Sequence, residues 1–400
     1  MLPSTITRAR RDLAPGLFVL CLAAGMGLFG DGGLGSRAAA DEASGTWTGS
    51  LNLQGNYYWE TSTRVVAPEV GIRLVSPDGT EITADYLVDA ITSASIAAGV
   101  IEDIRFTEVR NQGTITIGRE LDLGEAQLRL GASGRISHEP DYLATSIGVN
   151  GLLSLNQRST VIGASLGYIH DDVGAVLRGS NTSAVDPMGR MLSNRGRIGE
   201  LEGMNLALSV QQVLLPNLWV SAAYDLVYNQ GYLANAYRSV MVQGVLTPET
   251  HPGSRLRQAI SGRLAYFFEP TRTAVHLMYR SYLDDWDLGA INPEVRLYQE
   301  LGDSVTLRAR YRFYTQTRSF FFRPPDMFTA DDPFVTADPK MQDFTSHLLG
   351  FRAVVQLGFL GGTPLGFLSH GWFDLSFDYL WQGSRFGNAV IAQSGLHVPF

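Results

Sequence analysis

The strongest constraint on the fold is an unbroken alternation of apolar and polar side chains over residues 305–314. Apolar or aromatic side chains occupy every second position, and Arg308, Arg310 and Arg312 lie between them. A period of two is typical of a β-strand whose two faces meet different surroundings. The arginine face needs water or opposite charges. The aromatic face needs an apolar medium, which can be a protein core or lipid.

The first 40 residues carry the pattern of a secretory signal peptide. Three arginines precede an apolar stretch at residues 17–29, and a run of three alanines ends at Ala40. This order of charge, apolar core and small residues is typical of a cleaved export signal, and about thirteen apolar residues are too few to span a bilayer as a helix. We expect cleavage near Ala40, which leaves residues 41–400 as a single exported domain.

The composition of the exported part excludes several kinds of protein. Residues 41–400 contain 27 basic and 37 acidic side chains, a formal net charge of −10, and no basic patch with interleaved aromatic residues. This charge disfavours nucleic acid as a partner. The single cysteine, Cys21, lies within the predicted signal peptide, so no disulfide joins two parts of the exported chain. The fold must therefore depend on burial or on a closed hydrogen-bonded sheet.

Alternating segments recur along the exported chain, and we count about sixteen of them, with an error of about two either way. The connections between them sort into two classes. The short connections lie at residues 77–79, 122–124, 156–159, 216–217, 269–272 and 300–303. The long connections lie at residues 92–103, 171–199, 229–253 and 320–344. This sorting predicts an all-β fold: a transmembrane antiparallel up-and-down β-barrel of about 16 strands (14 to 18), with short periplasmic turns and long extracellular loops.

The end of the chain favours the same fold. Leu396, Val398 and Phe400 share one face of the last alternating segment, and the aromatic residue stands at the C-terminus. A terminal aromatic residue on the last strand resembles the signal that the outer-membrane insertion machinery reads. We therefore expect that machinery and outer-membrane lipid as partners, and the bacterial outer membrane as the location. The alternative is a secreted β-sandwich, which gives no reason for the sorting of the loops.

Several segments resemble a family of Gram-negative outer-membrane barrels catalogued as domain of unknown function 3570. The resemblance rests on residues 85–96, 231–240, 248–259, 279–286, 310–320 and 336–351. Together these segments are spread over most of the exported chain, so the resemblance implies an outer-membrane barrel. It assigns no activity, catalytic residue or cofactor.

Histidines and acidic residues on the expected loop side are the candidates for chemistry. His170 is followed by Asp171 and Asp172, and acid pairs recur at residues 284–285 and 331–332. A barrel hydrolase would use such groups at its outer rim, but no nucleophile stands at a motif spacing. The histidines on strands lack the spacing of metal ligands. We therefore expect no enzyme activity, no metal and no cofactor.

The alternation also predicts which charges face the lumen. A basic wall on strands ten to thirteen consists of Arg255, Arg257, Arg263, Arg280, Arg296, Arg308, Arg310 and Arg312. Acids on strands two, three and fifteen are Glu69, Asp85, Asp89, Asp374 and Asp378. In a ring of about sixteen strands, strand three stands across from strand eleven, so a basic wall would face an acidic one and orient solutes. The alternative is a mesh of cross-strand ion pairs that stiffens the wall, and both can hold at once.

These observations leave three functional hypotheses. The first is a porin-like channel for small solutes or ions, in which the arginine wall and an infolded loop set solute preference. The second is a plugged barrel that serves as a scaffold or export partner for a periplasmic or surface protein. The third is a hydrolase at the rim. The loops at residues 171–199, 229–253 and 320–344 are the candidates for a constriction, because the third outer connection, at residues 137–142, is too short to fold inward.

Overall fold

The computed structural model describes residues 46–61, 63–94, 105–139, 142–175, 196–235, 238–324 and 327–400. The predicted signal peptide lies outside the described residues, as do most of the predicted loops at residues 92–103 and 171–199. Within the described residues, no helix is long and apolar enough to cross a membrane.

Sixteen strands of the described chain close into one antiparallel barrel, as the alternation predicts. They are β1 (Thr48–Glu60), β2 (Thr63–Val75), β3 (Thr80–Ala94), β4 (Arg105–Asp122), β5 (Gln127–His138), β6 (Tyr142–Leu155), β7 (Thr160–Ala175), β8 (Gly196–Leu215), β9 (Leu218–Gly231), β12 (Ser254–Phe268), β13 (Thr273–Asp284), β14 (Gly289–Leu301), β15 (Val305–Gln316), β16 (Phe344–Gln356), β17 (Trp372–Gln382) and β18 (Ala389–Pro399). Two short strands, β10 (Ser239–Val242) and β11 (Val245–Pro248), form a separate hairpin between β9 and β12. Each barrel strand pairs with the next, so the predicted up-and-down topology is confirmed.

The first and last strands close the ring. β1 pairs with β18 from Ser50 opposite Pro399 to Glu60 opposite Ala389. Beyond this ladder, Phe400 exchanges two backbone hydrogen bonds of 2.8 and 2.9 Å with Gly49. A closed sheet leaves no edge, which a sheet in hydrocarbon requires because lipid cannot hydrogen-bond to a free N–H or C=O group.

Side chains along each strand alternate between two media. In β17, Phe373, Leu375 and Phe377 are exposed, whereas the residues between them, including Asp374 and Asp378, are buried. The exposed fraction is 50% for Phe377 and 0% for Asp378. Large apolar side chains are exposed in the same alternating way on the other barrel strands. An outer surface this apolar is stable in lipid rather than in water, so the barrel spans a membrane and its charged faces point inward.

The two ends of the barrel differ. Six connections of two to four residues lie at one end, which we call the turn end, and the long connections lie at the other, the loop end. One connection at the turn end, residues 357–371, is longer than the other six and contains two copies of the sequence Leu-Gly-Phe-Leu. Each copy forms a single 3₁₀ turn, Gly358–Leu360 and Gly366–Leu368. The strand-period pattern missed this segment because a 3₁₀ turn of three residues has no period of its own.

An arginine placed on the outer face should destabilise the barrel most at mid-membrane depth. Phe377 lies at the centre of β17. We expect Phe377→Arg to lower the free energy of unfolding in a bilayer by about 2–4 kcal/mol, because the hydrocarbon layer solvates a charge poorly. Leu121→Arg, near the turn end of β4, is the matched control and should cost about 0–1 kcal/mol. Denaturant titration in vesicles measures both, and equal costs would contradict a lipid-facing outer surface.

Candidate functional site: the barrel interior

The interior wall formed by β15, β16 and β17 is held by a two-pronged ion pair. Arg310 Nε and Nη2 donate to the two carboxylate oxygens of Asp378 at 2.9 and 2.7 Å, and both side chains are fully buried. The two residues lie on strands separated by β16, and the residue between them in register is Gly350. A Cβ atom at position 350 would overlap the Asp378 carboxylate. Because Gly350 has no side chain, Arg310 and Asp378 can form their ion pair across β16 at this position.

A second buried ion pair lies beside this one, between the adjacent strands β16 and β17. Arg352 Nη2 donates to Asp374 Oδ1 at 2.9 Å, and both side chains are buried. Four strands further around the ring from β17, Asp89 on β3 pairs with Arg110 on β4. Buried charges need partners of opposite sign at close range, because the low-dielectric wall solvates them poorly. These acids therefore belong to a local mesh of ion pairs rather than to a separate acidic wall.

The eight arginines of the predicted basic wall all lie on the interior faces of their strands. Arg255 donates through Nε to Asp284 at 2.9 Å, and its guanidinium carbon Cζ lies 4.2 Å from the centroid of the Trp286 ring. Arg296 pairs with Glu294 on its own strand. The buried members of the remaining set are Arg308 and Arg312, and the partly buried ones are Arg257 and Arg263.

Arg280 differs from the other seven arginines of the predicted basic wall because its side chain is exposed to the lumen. Its Nη1 donates to Asp225 on β9 at 2.9 Å. Asp225 was not among the predicted lumen acids, although its position in the alternation of β9 places it on the interior face. Asp225 and Arg280 lie on strands separated by β12, so this ion pair also crosses one strand.

The acids of the predicted acidic wall lie at two different places around the ring. Glu69 on β2 and Asp85 on β3 stand about half the ring away from Arg280 on β13. Asp374 and Asp378, however, lie on β17, only two strands from β15, and they contact the arginines beside them. The prediction of one acidic wall is wrong for these two residues, because a period of two identifies the face of a side chain and not its partner.

Two loops meet at the loop end of the barrel. The hairpin loop, residues 232–253, carries β10 and β11, and the long loop, residues 317–343, joins β15 to β16. Val240 of the hairpin loop packs with Phe328 and Val335 of the long loop in one buried cluster. Thr250 and Val335 exchange two backbone hydrogen bonds of 2.9 and 3.1 Å. We call this assembly the loop cluster.

Buried polar contacts hold the loop cluster together. Glu249 Oε1 accepts hydrogen bonds from Thr336 Oγ1 at 2.9 Å and from the Ala337 backbone N–H at 3.0 Å. Arg238 of the hairpin loop pairs with Asp338 of the long loop. Burial alone would raise the pKa of Asp338, but the charges of Arg238 and Lys340 outweigh it and hold the pKa below its ordinary value. Asp338 is therefore ionised at neutral pH, as the pairing requires.

Lys340 connects the loop cluster to the barrel wall. It is the only lysine in the chain. Its backbone carbonyl accepts a hydrogen bond of 2.9 Å from Gln316 at the end of β15, and the Glu60 carboxylate at the end of β1 acts on its ammonium group. β15 and β1 are separated by three strands of the ring. The long loop therefore folds inward along the interior wall at this end.

The surroundings of Lys340 destabilise the charged form of its side chain. Burial lowers its pKa from the ordinary value of 10.5 to about 8, helped by the positive charge of Arg238 and opposed by Asp338 and Glu60. The ammonium group therefore titrates in an accessible pH range while it stays within the loop cluster.

The rim residues considered for hydrolysis do not form one site. The side chain of Asp171 is buried on the interior face and accepts a hydrogen bond from Tyr142, whereas His170 next to it lies on the outer face. The pair was a poor candidate because neighbours on a strand point in opposite directions. Asp284 and Asp285 accept hydrogen bonds from Arg255 and from the Leu256 backbone. Among the described residues, no group of three or more metal-ligating side chains is found.

A family model described as "Protein of unknown function (DUF3570)" matches residues 101–363. The chain belongs to this family. The resemblance noted in the sequence is thereby confirmed. A comparison with curated proteins gives no match.

Solved barrel structures are similar to the chain over most of its length. Pseudomonas aeruginosa OprD shares 10% sequence identity at a TM-score of 0.45, with 90% of this chain and 97% of that chain covered. A BenF-like porin from Pseudomonas fluorescens Pf-5 shares 10% at 0.44, with 88% and 98% covered. CdiB from Acinetobacter baumannii shares 9% at 0.46, with 88% and 60% covered. At these identities and TM-scores the likenesses assign no function.

Removal of the Asp378 charge should destabilise the barrel strongly. Asp378→Asn leaves the buried Arg310 guanidinium without its carboxylate, and we expect a loss of about 3–5 kcal/mol in the free energy of unfolding. The matched control is Asp303→Asn, which removes the same charge from an exposed pair with Arg272 and should change stability little. Unfolding in detergent or vesicles measures both variants. Similar stability of the two variants would show that the interior mesh does not hold the wall.

Proposed function

We propose that the protein is an outer-membrane channel for small hydrophilic solutes, with a preference for anions. The observation that carries the proposal is a closed sixteen-stranded barrel with an apolar outer face and a charged inner face. Transmembrane barrels of this kind belong to outer membranes, and a barrel of this strand number is wide enough to hold water when nothing fills it. The short turns then lie in the periplasm and the loop cluster lies outside.

The preference for anions rests on three interior ion pairs with a side chain that is open to the lumen. Arg280 is 46% exposed and its partner Asp225 only 11%. Near the turn end, Arg73 and Arg129 are 48% and 40% exposed, and the Glu81 that pairs with both is 17% exposed. In these three pairs the guanidinium group is the more accessible one. A solute in the lumen therefore meets positive charge first.

Ion selectivity tests this proposal directly. We expect the channel to favour chloride over potassium in planar bilayers under a salt gradient. Arg280→Gln should shift the reversal potential toward that of a non-selective pore, because it removes the accessible charge. Arg119→Gln is the matched control: Arg119 is about as exposed, but it points outward at the turn end of β4.

Two results would contradict the channel proposal. One is the absence of conductance from protein that is folded by its heat-modifiable migration on a gel. The other is an equal shift in both variants, which would show that selectivity does not arise at Arg280.

A plugged barrel that acts as a scaffold or export partner is the second candidate. The loop cluster favours it, because two loops from distant strands pack into one buried core at the loop end. In that case deletion of the long loop would be needed before any conductance is seen. Intact protein would instead copurify with a partner chain, and the two candidates differ in this respect.

Conductance should fall as the pH rises from about 8 to 10.5. In the packed loop cluster, which is the closed state of the proposed channel, the pKa of Lys340 is about 8. In an open state, in which the two loops separate and water surrounds Lys340, its pKa has the ordinary value of 10.5. Between these values the open state binds more protons, so a rise in pH stabilises the closed state. Lys340→Met imitates the neutral side chain and should give a low conductance that does not vary over this range. A wild-type conductance that rises with pH would contradict a closing role for Lys340.

A further inference from the structure

A groove interrupts the apolar outer face of the barrel on strands β1 to β7. Its volume is about 810 Å³, within the range of small-molecule binding sites, which is about 300–1,000 Å³. Its walls are outward-facing side chains that include Tyr86, Ile115, Ile136, Ile147 and Tyr168. The groove lies on the membrane side of the sheet, apart from the lumen and the loop cluster.

Two glycines form the floor of the groove. Gly113 on β4 lies opposite Ile136 on β5, and Gly134 on β5 lies opposite Ile115 on β4. An ideal Cβ atom built on either glycine has no atom within 4 Å. Most of the other outward positions on these strands carry larger side chains. The depression therefore results from two missing side chains between isoleucine ridges, and space for side chains exists at both positions.

The loop-side edge of the groove is polar. The Tyr86 hydroxyl donates to Asn111 Oδ1 at 2.8 Å, and the Tyr168 hydroxyl donates to Glu202 Oε1 at 3.2 Å. Asn111 stands two residues from Gly113 toward the loop end of β4. An apolar floor with hydrogen-bonding groups at one edge matches an amphipathic ligand whose polar part is nearer the loop end.

The shape of the groove distinguishes a lipid from a second copy of the chain. A twofold contact through this surface would set groove against groove and leave a void, and voids forfeit packing contacts. A flexible hydrocarbon chain can fill an open depression without a matching ridge. We propose that the groove holds an acyl chain of one membrane lipid as a bound ligand, with the lipid's polar part at the Tyr86–Asn111 edge.

Filling the groove tests the proposal. Leucine at both glycine positions, Gly113→Leu with Gly134→Leu, should fit without a clash and displace the chain. Ala132→Leu adds the same side chain on the outer face of β5 outside the groove and is the matched control. Native mass spectrometry of refolded, detergent-solubilised protein titrated with dipalmitoyl phosphatidylethanolamine measures occupancy. We expect one retained lipid for the wild type and the control, and at least about a tenfold weaker retention for the double variant.

Three outcomes would overturn the proposal. Equal lipid retention by the double variant would place the lipid elsewhere. Absence of a retained lipid on folded wild-type protein would show that the groove exchanges freely with bulk lipid. Wild-type oligomers that the double variant abolishes, without a bound lipid, would assign the groove to contact with a second copy. Circular dichroism and heat-modifiable migration verify that every variant is folded.

Discussion

The hydrogen bonds between β1 and β18 are the constraint on which the rest of the molecule depends. They remove the last free edge of the sheet, so every barrel strand has two partners and no ladder is left to lipid. Closure also separates two surfaces completely. One side of every strand meets hydrocarbon and must be mainly apolar, and the other side receives most of the charges that the strands carry.

Charges on the inner face are stable only where an opposite charge lies within reach across one or two strands. In the wall, a small residue can leave space for two larger charged side chains to reach each other. Gly350 gives Arg310 a straight path to Asp378, and the pair then occupies the space that a side chain would have filled. Because carboxylates are short and lie deep against the wall, the long guanidinium group is often the accessible partner, as it is at Arg280. The electrostatics of the lumen thus follow from side-chain length as well as from net charge, which is negative for the whole chain.

The period-two alternation predicts most of the fold because it identifies the lipid-facing side of each strand, and the loop lengths then give the topology. The alternation does not predict which side chains form ion pairs with each other. Asp374 and Asp378 were placed in an acidic wall, whereas each contacts an arginine one or two strands away, and Arg352 was overlooked although it stands at an interior position of β16. The β10–β11 hairpin and the contact of Lys340 with the wall were also missed, because they depend on two loops that meet only in the folded chain.

The barrel wall and the loop cluster differ in the number and kind of interactions that would be broken if each of them opened. Any gap in the wall exposes backbone groups to lipid along a ladder of ten or more residue pairs, and it also separates buried ion pairs. The loop cluster is joined by isolated bridges, one small apolar cluster and a few charged contacts. Local opening therefore costs much less free energy in the loops than in the wall. Among the described residues, the loop cluster is therefore where the proposed channel could change its width, and Lys340 adds there a charge whose cost depends on pH.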